Sequence, residues 1–354
     1  MRTVVVGLGW VATEVWLPRL LAHPAITVVG AVEPTVAAAG RAAGLLGDLP
    51  VHADYRDVPV DEVDLVFVLT PNHTHAEIAE WFLRRGRRVV LEKPNCTRVD
   101  EIDRIAAAAA DGGGSLALSA AARHRTDVSA LRDVVASGRL GTPRLAELSW
   151  VRGRGIPQRH WFTDSASAGG GALVDLGWHV LDVAHDLWGP VRVRAAVATA
   201  TADFLRRRDG AALWQPSSAA APAGARACAG DVEDQLTGLV TTDSYALGLR
   251  FAWASHEEVD RTTITLHGTD ASARLRTTFG FSPHRLPRAS LRVRSAGEVE
   301  EVALPDTTVG AEYDRLLDDL VTADDDTTTK RSLDCVRDVL SIVEACYSSA
   351  APVP

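Results

Sequence analysis

Three residues carry side chains suited to proton chemistry: Lys93, Asp175 and His179. Lysine is rare in this chain, which has only Lys93 and Lys330 against a large excess of arginine. Lys93 ends the run Val89-Val90-Leu91-Glu92-Lys93 and is followed by Pro94, so it stands where a short apolar strand stops. An ammonium is a compact point charge whose pKa moves on burial, whereas a guanidinium stays charged. Lysine kept at this position therefore suggests a working ammonium; the competing reading is an ordinary surface lysine. Asp175 and His179 are four residues apart and share one face of a helix. A neutral imidazole is the natural acid/base near pH 7, and a neighbouring carboxylate orients it. Oxidising an alcohol by hydride transfer needs its hydroxyl proton removed, and a base plus a hydrogen-bond donor near one oxygen does this. The competing reading for His179 is a core histidine satisfied by Asp182 or by backbone.

Other chemistries fit less well. His179, Asp182, His185 and Asp186 have spacings that can gather ligands on a helix, but no second cluster completes a set, so no metal is expected. The G-x-S-x-G elbow of a serine hydrolase does not occur.

The elements that must hold these residues begin at the N-terminus. Thr3 to Val6 reads as a buried strand, followed by Gly7-Leu8-Gly9-Trp10-Val11-Ala12 and an apolar helix pattern through Val15, Leu17, Leu20 and Leu21. This is the G-x-G-x-x-A dinucleotide fingerprint in its strand–turn–helix setting. Gly7 permits the tight turn, Gly9 lets backbone approach a pyrophosphate, and Ala12 allows close helix packing. The helix N-terminus offers free N–H groups to phosphates. The next strand, Ile26 to Val32, ends at Glu33, placed to accept from ribose hydroxyls and to repel a 2′-phosphate. NAD is therefore expected ahead of NADP. Strand Asp64 to Thr70 runs into Pro71-Asn72-His73-Thr74-His75. Strand Val89 to Leu91, helix Val99 to Ala110 and strand Ser115 to Ser119 continue the alternation. Alternation of this kind predicts a doubly wound parallel sheet with its ligand at the carboxyl ends of the strands.

A chain of 354 residues suits two domains. The net charge of −9 gives no basic surface for nucleic acid. Cys96, Cys228, Cys335 and Cys346 show no CxxC spacing, which fits free thiols in a reducing compartment, and the protein is expected to be cytoplasmic. With a strand expected from Thr3 onward no signal peptide is expected, and no apolar run reaches membrane-spanning length.

The chain resembles the Gfo/Idh/MocA family of oxidoreductases. The resemblance rests on Gly7 to Ala12, Thr70-Pro71-Asn72 with His75, and Glu92-Lys93-Pro94. It continues in Ser137 to Gly141, Gly169-Gly170-Gly171 through Asp175 to His179, and the last helix around Ala345 to Ala350. The family implies an α/β architecture: an N-terminal Rossmann domain with a doubly wound parallel sheet, expected over 1–122, and a C-terminal α/β domain with an open, largely antiparallel sheet, expected over 123–354. It also implies His179 as acid/base, Lys93 on the reacting oxygen and Asp175 positioning substrate. Cofactor contacts are expected from Gly7, Gly9, Trp10, Val11, Ala12, Glu33, Thr70, Pro71, Asn72, His75, Glu92, Lys93 and Pro94.

In the second domain, Arg123 to Gly138 reads as a connecting helix and Arg144 to Val151 as a strand. The loop from Arg152 to Trp161 can line a polyol pocket: Trp161 offers a stacking face, while Arg152, Arg154, Gln158 and Arg159 offer hydrogen bonds. A solvated loop is the competing reading. Arg123 is a further substrate candidate. Strands are expected near Val191 to Ala198, Val232 to Val240, Ala246 to Trp253 and Thr262 to Leu266. Leu247, Leu249, Phe251 and Trp253 face one side; Gly248, Arg250, Ala252 and Ala254 face the other. An open sheet of this kind can be covered by a second copy, giving a homodimer or homotetramer. Residues 205–230, rich in Ala, Pro, Ser and Gly, read as a mobile insertion. The expected substrate is a sugar, sugar derivative or cyclitol, oxidised or reduced at a secondary carbinol. Imine reduction, NAD-assisted glycoside cleavage and a non-catalytic dinucleotide-binding regulator are the alternatives on the same fold.

Overall fold

A computed structural model describes residues 1–212, 230–306 and 308–351. The chain forms two compact units. Unit 1 comprises Met1–Ala120 with Tyr313–Arg337, and unit 2 comprises Ala121–Glu312 with the chain from Asp338 onward. The stretch Tyr313–Arg337 thus clusters with the first unit, although it follows the second in sequence. Within unit 1, Tyr313 stacks edge-on against Trp16, Arg19 pairs with Asp314, and Thr329 Oγ accepts from the Leu116 amide.

Unit 1 is a six-stranded parallel sheet of strands β1 (Arg2–Val6), β2 (Thr27–Val32), β3 (Val51–His52), β4 (Leu65–Val68), β5 (Arg88–Leu91) and β6 (Ser115–Leu118). Their spatial order is β3-β2-β1-β4-β5-β6, every pairing being parallel. The order reverses between β1 and β4, and the crevice at such a switch point is where doubly wound sheets take their ligands. Strands β4 and β5 are buried throughout, as a sheet covered on both faces requires. The covering helices include α1 (Leu17–Ala22), α2 (Val36–Leu46), α3 (His75–Leu83) and α4 (Val99–Gly112).

Unit 2 is built on an eight-stranded sheet. Its strands are β7 (Pro143–Val151), β8 (Val193–Thr201), β9 (Gln235–Thr242), β10 (Ala246–Ala252), β11 (Arg261–Gly268), β12 (Ser272–Thr277), β13 (Ser290–Ser295) and β14 (Glu298–Val302). The order is β14-β13-β12-β11-β7-β10-β9-β8, antiparallel except where β10 runs parallel to β7. Strands β12 to β14 go beyond the sequence reading. Helices α5 (Thr126–Ala136), α6 (Ser165–Ala168), α7 (Trp178–Trp188) and α8 (Asp203–Arg207) also belong to this unit, while α9 (Ala311–Thr322) and α10 (Asp325–Ser349) close the chain.

Two sequence expectations change. Ala254 does not continue the face of Gly248, Arg250 and Ala252, because β10 stops at Ala252; Ala252 and Ala254 are both buried. The alternation ends with β10, where Ala254 bridges to Arg154. Secondly, Val232 to Asp234 is not strand; β9 starts at Gln235, and Glu233 turns into the helix that carries Asp175. The sheet keeps an uncovered face on which Val197 and Leu239, cross-strand neighbours, are 72% and 51% exposed. Most of the expected insertion at 205–230 lies outside the described residues. No helix among the described residues is long and apolar enough to cross a membrane.

Candidate active site

In unit 1 the carboxyl ends of β1, β2, β4, β5 and β6 bring the expected cofactor residues to one edge of the sheet. Gly7 has φ +93°, and a Cβ there would stand 2.9 Å from both Leu69 O and Thr70 Cγ2. Glycine is therefore required by the turn and by the adjacent strand end. At Gly9 the position of a Cβ is clear of other atoms within 4 Å, so the turn leaves an open cradle next to the helix that begins at Val11. Such a cradle fits a pyrophosphate resting on backbone amides. Ala12 is fully buried beneath it.

Glu33 closes the cradle. Its carboxylate accepts from the Leu8 amide and from the Thr35 amide, each at 3.0 Å. The β2 end is thereby tied to the glycine turn, and the carboxylate is held beside it, as ribose recognition requires.

The Thr70 loop and the Lys93 segment are joined through His75. This residue is fully buried, and each ring nitrogen lies 2.8 Å from a carbonyl oxygen, Nδ1 from Pro94 O and Nε2 from Thr70 O. A neutral imidazole donates to only one of the two. Burial nevertheless holds the ring in its neutral form, pushing its pKa down to about 4 despite the two carbonyls. Where the sequence suggested a cofactor contact, the structure shows a staple inside the protein. Asn72 is also buried. Thr74 Oγ donates within the same loop, to Thr70 Oγ and Pro71 O.

Glu92 points inward, accepting from Ser119 Oγ at 2.6 Å and the Trp16 indole at 3.4 Å. Burial raises its pKa above the usual carboxylate range, with Lys93 the main opposing influence. Asn95 donates to Leu91 O and Glu92 O. The segment around Lys93 is thus pinned on both sides, with the Lys93–Pro94 peptide cis and Lys93 itself half-buried.

In unit 2, Asp175 and His179 lie on one continuous helix. Its first turn, Leu173–Gly177, is widened to i→i+5 hydrogen bonding before α7 begins. Widened turns of this kind recur at functional sites. Both side chains are half-buried among buried neighbours. Trp253 donates its indole N–H to Asp175 Oδ2 at 2.8 Å, and Arg152 approaches the same oxygen at 3.9 Å. The Arg152 guanidinium lies over the Trp150 ring, 4.7 Å from its centroid, and that ring lies 5.7 Å from the imidazole of His179. Phe279 packs edge-on against Trp150. Burial lowers the Arg152 pKa, while Asp175 and Asp260 oppose the shift. Asp175, His179 and Arg152 therefore share one aromatic-walled neighbourhood.

Other candidates are committed elsewhere. Arg123 is buried and grips Asp182 with a two-pronged ion pair, so its fork is not presented to a substrate as the sequence reading supposed. Asp186 is taken by Arg132 and His185 by Asp338. The described residues contain no group of His, Cys, Asp and Glu able to hold a metal ion. Gln158 donates to Ala212 O. Trp161 stacks on Phe162 at 3.8 Å, forming a two-ring face.

Sequence reasoning missed Trp150, Trp253, Phe279, Glu233 and Tyr347. The Trp253 signal, an aromatic at the end of an alternating strand, was taken as core only. Glu233 had a signal too, an acidic pair breaking an apolar run.

Residues 1–119 match the family model described as an oxidoreductase family with an NAD-binding Rossmann fold. Residues 128–274 match the model for the GFO/IDH/MocA C-terminal domain. A "putative UDP-kanosamine synthase oxidoreductase subunit" of Amycolatopsis mediterranei is 39% identical over 353 residues, covering 99% of this chain and 96% of the relative. A dTDP-3,4-didehydro-2,6-dideoxy-alpha-D-glucose 3-reductase of Streptomyces antibioticus is 29% identical over 54% of this chain and 57% of its own. Among solved structures, the 3-ketoreductase KijD10 of Actinomadura kijaniata, in complex with NADP and TDP-benzene, has the same fold. Its TM-score is 0.75 at 21% identity, covering 100% of this chain and 98% of that one.

Proposed function

The chain belongs to the Gfo/Idh/MocA family of NAD(P)-binding oxidoreductases, and from that premise we propose that it interconverts a secondary alcohol and a ketone at C3 of a nucleotide-linked hexose. The observation that carries the chemistry is the neighbourhood of Asp175 and His179, one carboxylate fixed by Trp253 and one imidazole a turn further along the same helix. The substrate class is supported by the whole-length relative, whose name specifies a UDP-linked sugar, and by the dTDP-sugar 3-reductase.

The nicotinamide cofactor, when bound, accepts the hydride in the oxidative direction. Gly7, Gly9 and the amides that follow hold its pyrophosphate, and Glu33 takes the ribose hydroxyls, which favours NAD over NADP. Lys93 donates a hydrogen bond to the reacting oxygen. His179 removes the hydroxyl proton and returns it in the reductive direction. Asp175 holds the substrate and keeps a negative charge near the imidazolium as it forms. Trp161 with Phe162, and Gln158, offer a stacking face and a hydrogen-bonding edge for the sugar.

A second copy covers the open sheet face around Val197 and Leu239, whose apolar side chains are exposed there.

The experiment is a turnover screen on purified protein, following reduced nicotinamide with NAD and NADP separately. The panel holds UDP-glucose, dTDP-glucose, free hexoses and inositols. Turnover is expected with a nucleotide hexose, and a C3 ketone product is identified by NMR. Turnover confined to inositols or free hexoses overturns the substrate class. Silence across the panel, with cofactor still bound, turns the reading toward a regulator.

A further inference from the structure

The glycine run Gly169-Gly170-Gly171 precedes the helix that carries Asp175 and His179, and such a run at a helix N-terminus invites an anionic ligand. Here the protein fills that place itself. Glu233, only 2% exposed, accepts from the Gly171 amide through Oε2 and from the Leu173 amide through Oε1, each at 2.9 Å. Its backbone carbonyl accepts from the intervening Ala172 amide at 3.1 Å. One residue therefore satisfies three successive N–H groups of the helix start. Tyr347, from α10, donates its hydroxyl to Glu233 Oε1 at 3.0 Å.

The glycines exist for this docking. A Cβ on Gly171 would stand 1.8 Å from Glu233 O, and one on Gly170 would stand 2.1 Å from Tyr347 Oη. The residue after Glu233 continues the grip. Asp234 O accepts the Trp253 amide at 2.8 Å, and Trp253 in turn donates its indole to Asp175. Two adjacent residues thus fix Asp175 from two directions, through the start of its helix and through its hydrogen-bond donor.

We propose that Glu233, seated with Tyr347, is the positioning residue that sets Asp175 and His179. The proposal rests on the reading of those two as the chemical groups. Glu233 acts through the helix and touches neither substrate nor reacting atoms. A displacement of about 1 Å at a reacting group lowers turnover by about a hundredfold.

The test uses Glu233→Ala, Glu233→Gln and Tyr347→Phe in the full chain with cofactor. Glu233→Ala is expected to lower kcat by about a hundredfold with cofactor affinity changed less than about threefold, since the residues read as holding the cofactor lie in unit 1. Glu233→Gln retains one acceptor but meets the Gly171 N–H with its amide, and is expected to fall by about tenfold. The His179 ring resonances, assigned with His179→Asn, should move in every variant. Wild-type kcat in folded Glu233→Ala, or equal losses in kcat and cofactor affinity, overturns the proposal. If Glu233→Ala does not fold, Glu233→Gln and Tyr347→Phe decide. If wild type turns over no sugar, the reading of function fails by itself, and His179 resonances unchanged in Glu233→Gln overturn the positioning claim separately.

Discussion

The indole of Trp253 donates to Asp175 Oδ2 at 2.8 Å across 78 residues of sequence. Trp253 is fully buried at the end of β10, so this donor cannot swing away from its acceptor. A carboxylate held this way keeps one orientation. Trp253→Phe preserves the ring and removes only the N–H. It should lower kcat/KM by about tenfold, the loss of one hydrogen bond to a charged group, with unfolding cooperativity intact. Steady-state kinetics beside a thermal melt decides; a variant with unaltered kcat/KM removes Trp253 from any role beyond packing.

Lys93→Ala and His179→Ala each take away one of the groups that handle the alcohol proton. Both should reduce kcat by at least about a hundredfold, with cofactor affinity still measurable by fluorescence titration. Lys93→Arg should rescue little, because a planar fork does not replace a point charge on one oxygen. Near-normal turnover in either alanine variant would falsify the assignment.

Glu33 is held by the Leu8 and Thr35 amides beside the glycine turn. Glu33→Ala should reduce the preference for NAD over NADP, read as the ratio of kcat/KM for the two cofactors. A ratio equal to wild type takes Glu33 out of the ribose site.

Burial of Glu233 raises its pKa from 4.5 to about 7, against the pull of its amide and hydroxyl donors toward the carboxylate. The folded protein therefore holds a proton that the unfolded chain has already released. Stability on this account is full below about pH 4.5 and declines as pH rises through 7, by about 3 kcal/mol in all. Urea titrations of wild type and Glu233→Gln from pH 4.5 to 8 should differ in slope, the amide variant lacking that decline. Parallel curves count against the buried carboxyl.

His75 works in the opposite sense. Its pKa is lowered from 6.5 to about 4 by burial, so the unfolded chain takes up the proton first as the solution is acidified. Stability from this group is full above pH 6.5 and is lost as pH falls toward 4. His75→Gln, unable to titrate, should flatten the acid side of the urea midpoint profile. A profile as steep as wild type assigns the acid loss to other groups.

Much of unit 1 was legible because its signals are local. A glycine turn that needs φ +93°, an acidic residue at the next strand end and a lysine closing β5 each follow from a few neighbouring residues. Alternating strands and helices then leave one parallel arrangement, and its carboxyl edge collects those residues without further information. Even there His75 was misread. That a histidine faces two carbonyls, one of them 19 residues away, has no local pattern.

Unit 2 was legible as helix and strand but not as a site. Asp175 and His179 share a face by periodicity alone. Their partners Trp253 and Glu233 lie tens of residues downstream, and Tyr347 reaches the helix start from 176 residues away. Arg123 looked available because its sequence neighbours are unremarkable, yet Asp182, 59 residues on, occupies it in the fold. The run of three glycines shows the division most sharply. Its need for missing side chains could be read from residue type, but whether a ligand or the protein's own carboxylate fills the gap depends on which distant segment packs there. Periodicity and turn chemistry act over a few residues and determined the elements. Burial, ion pairing and exclusion act through space, and only the packed chain decided which groups were left to do chemistry.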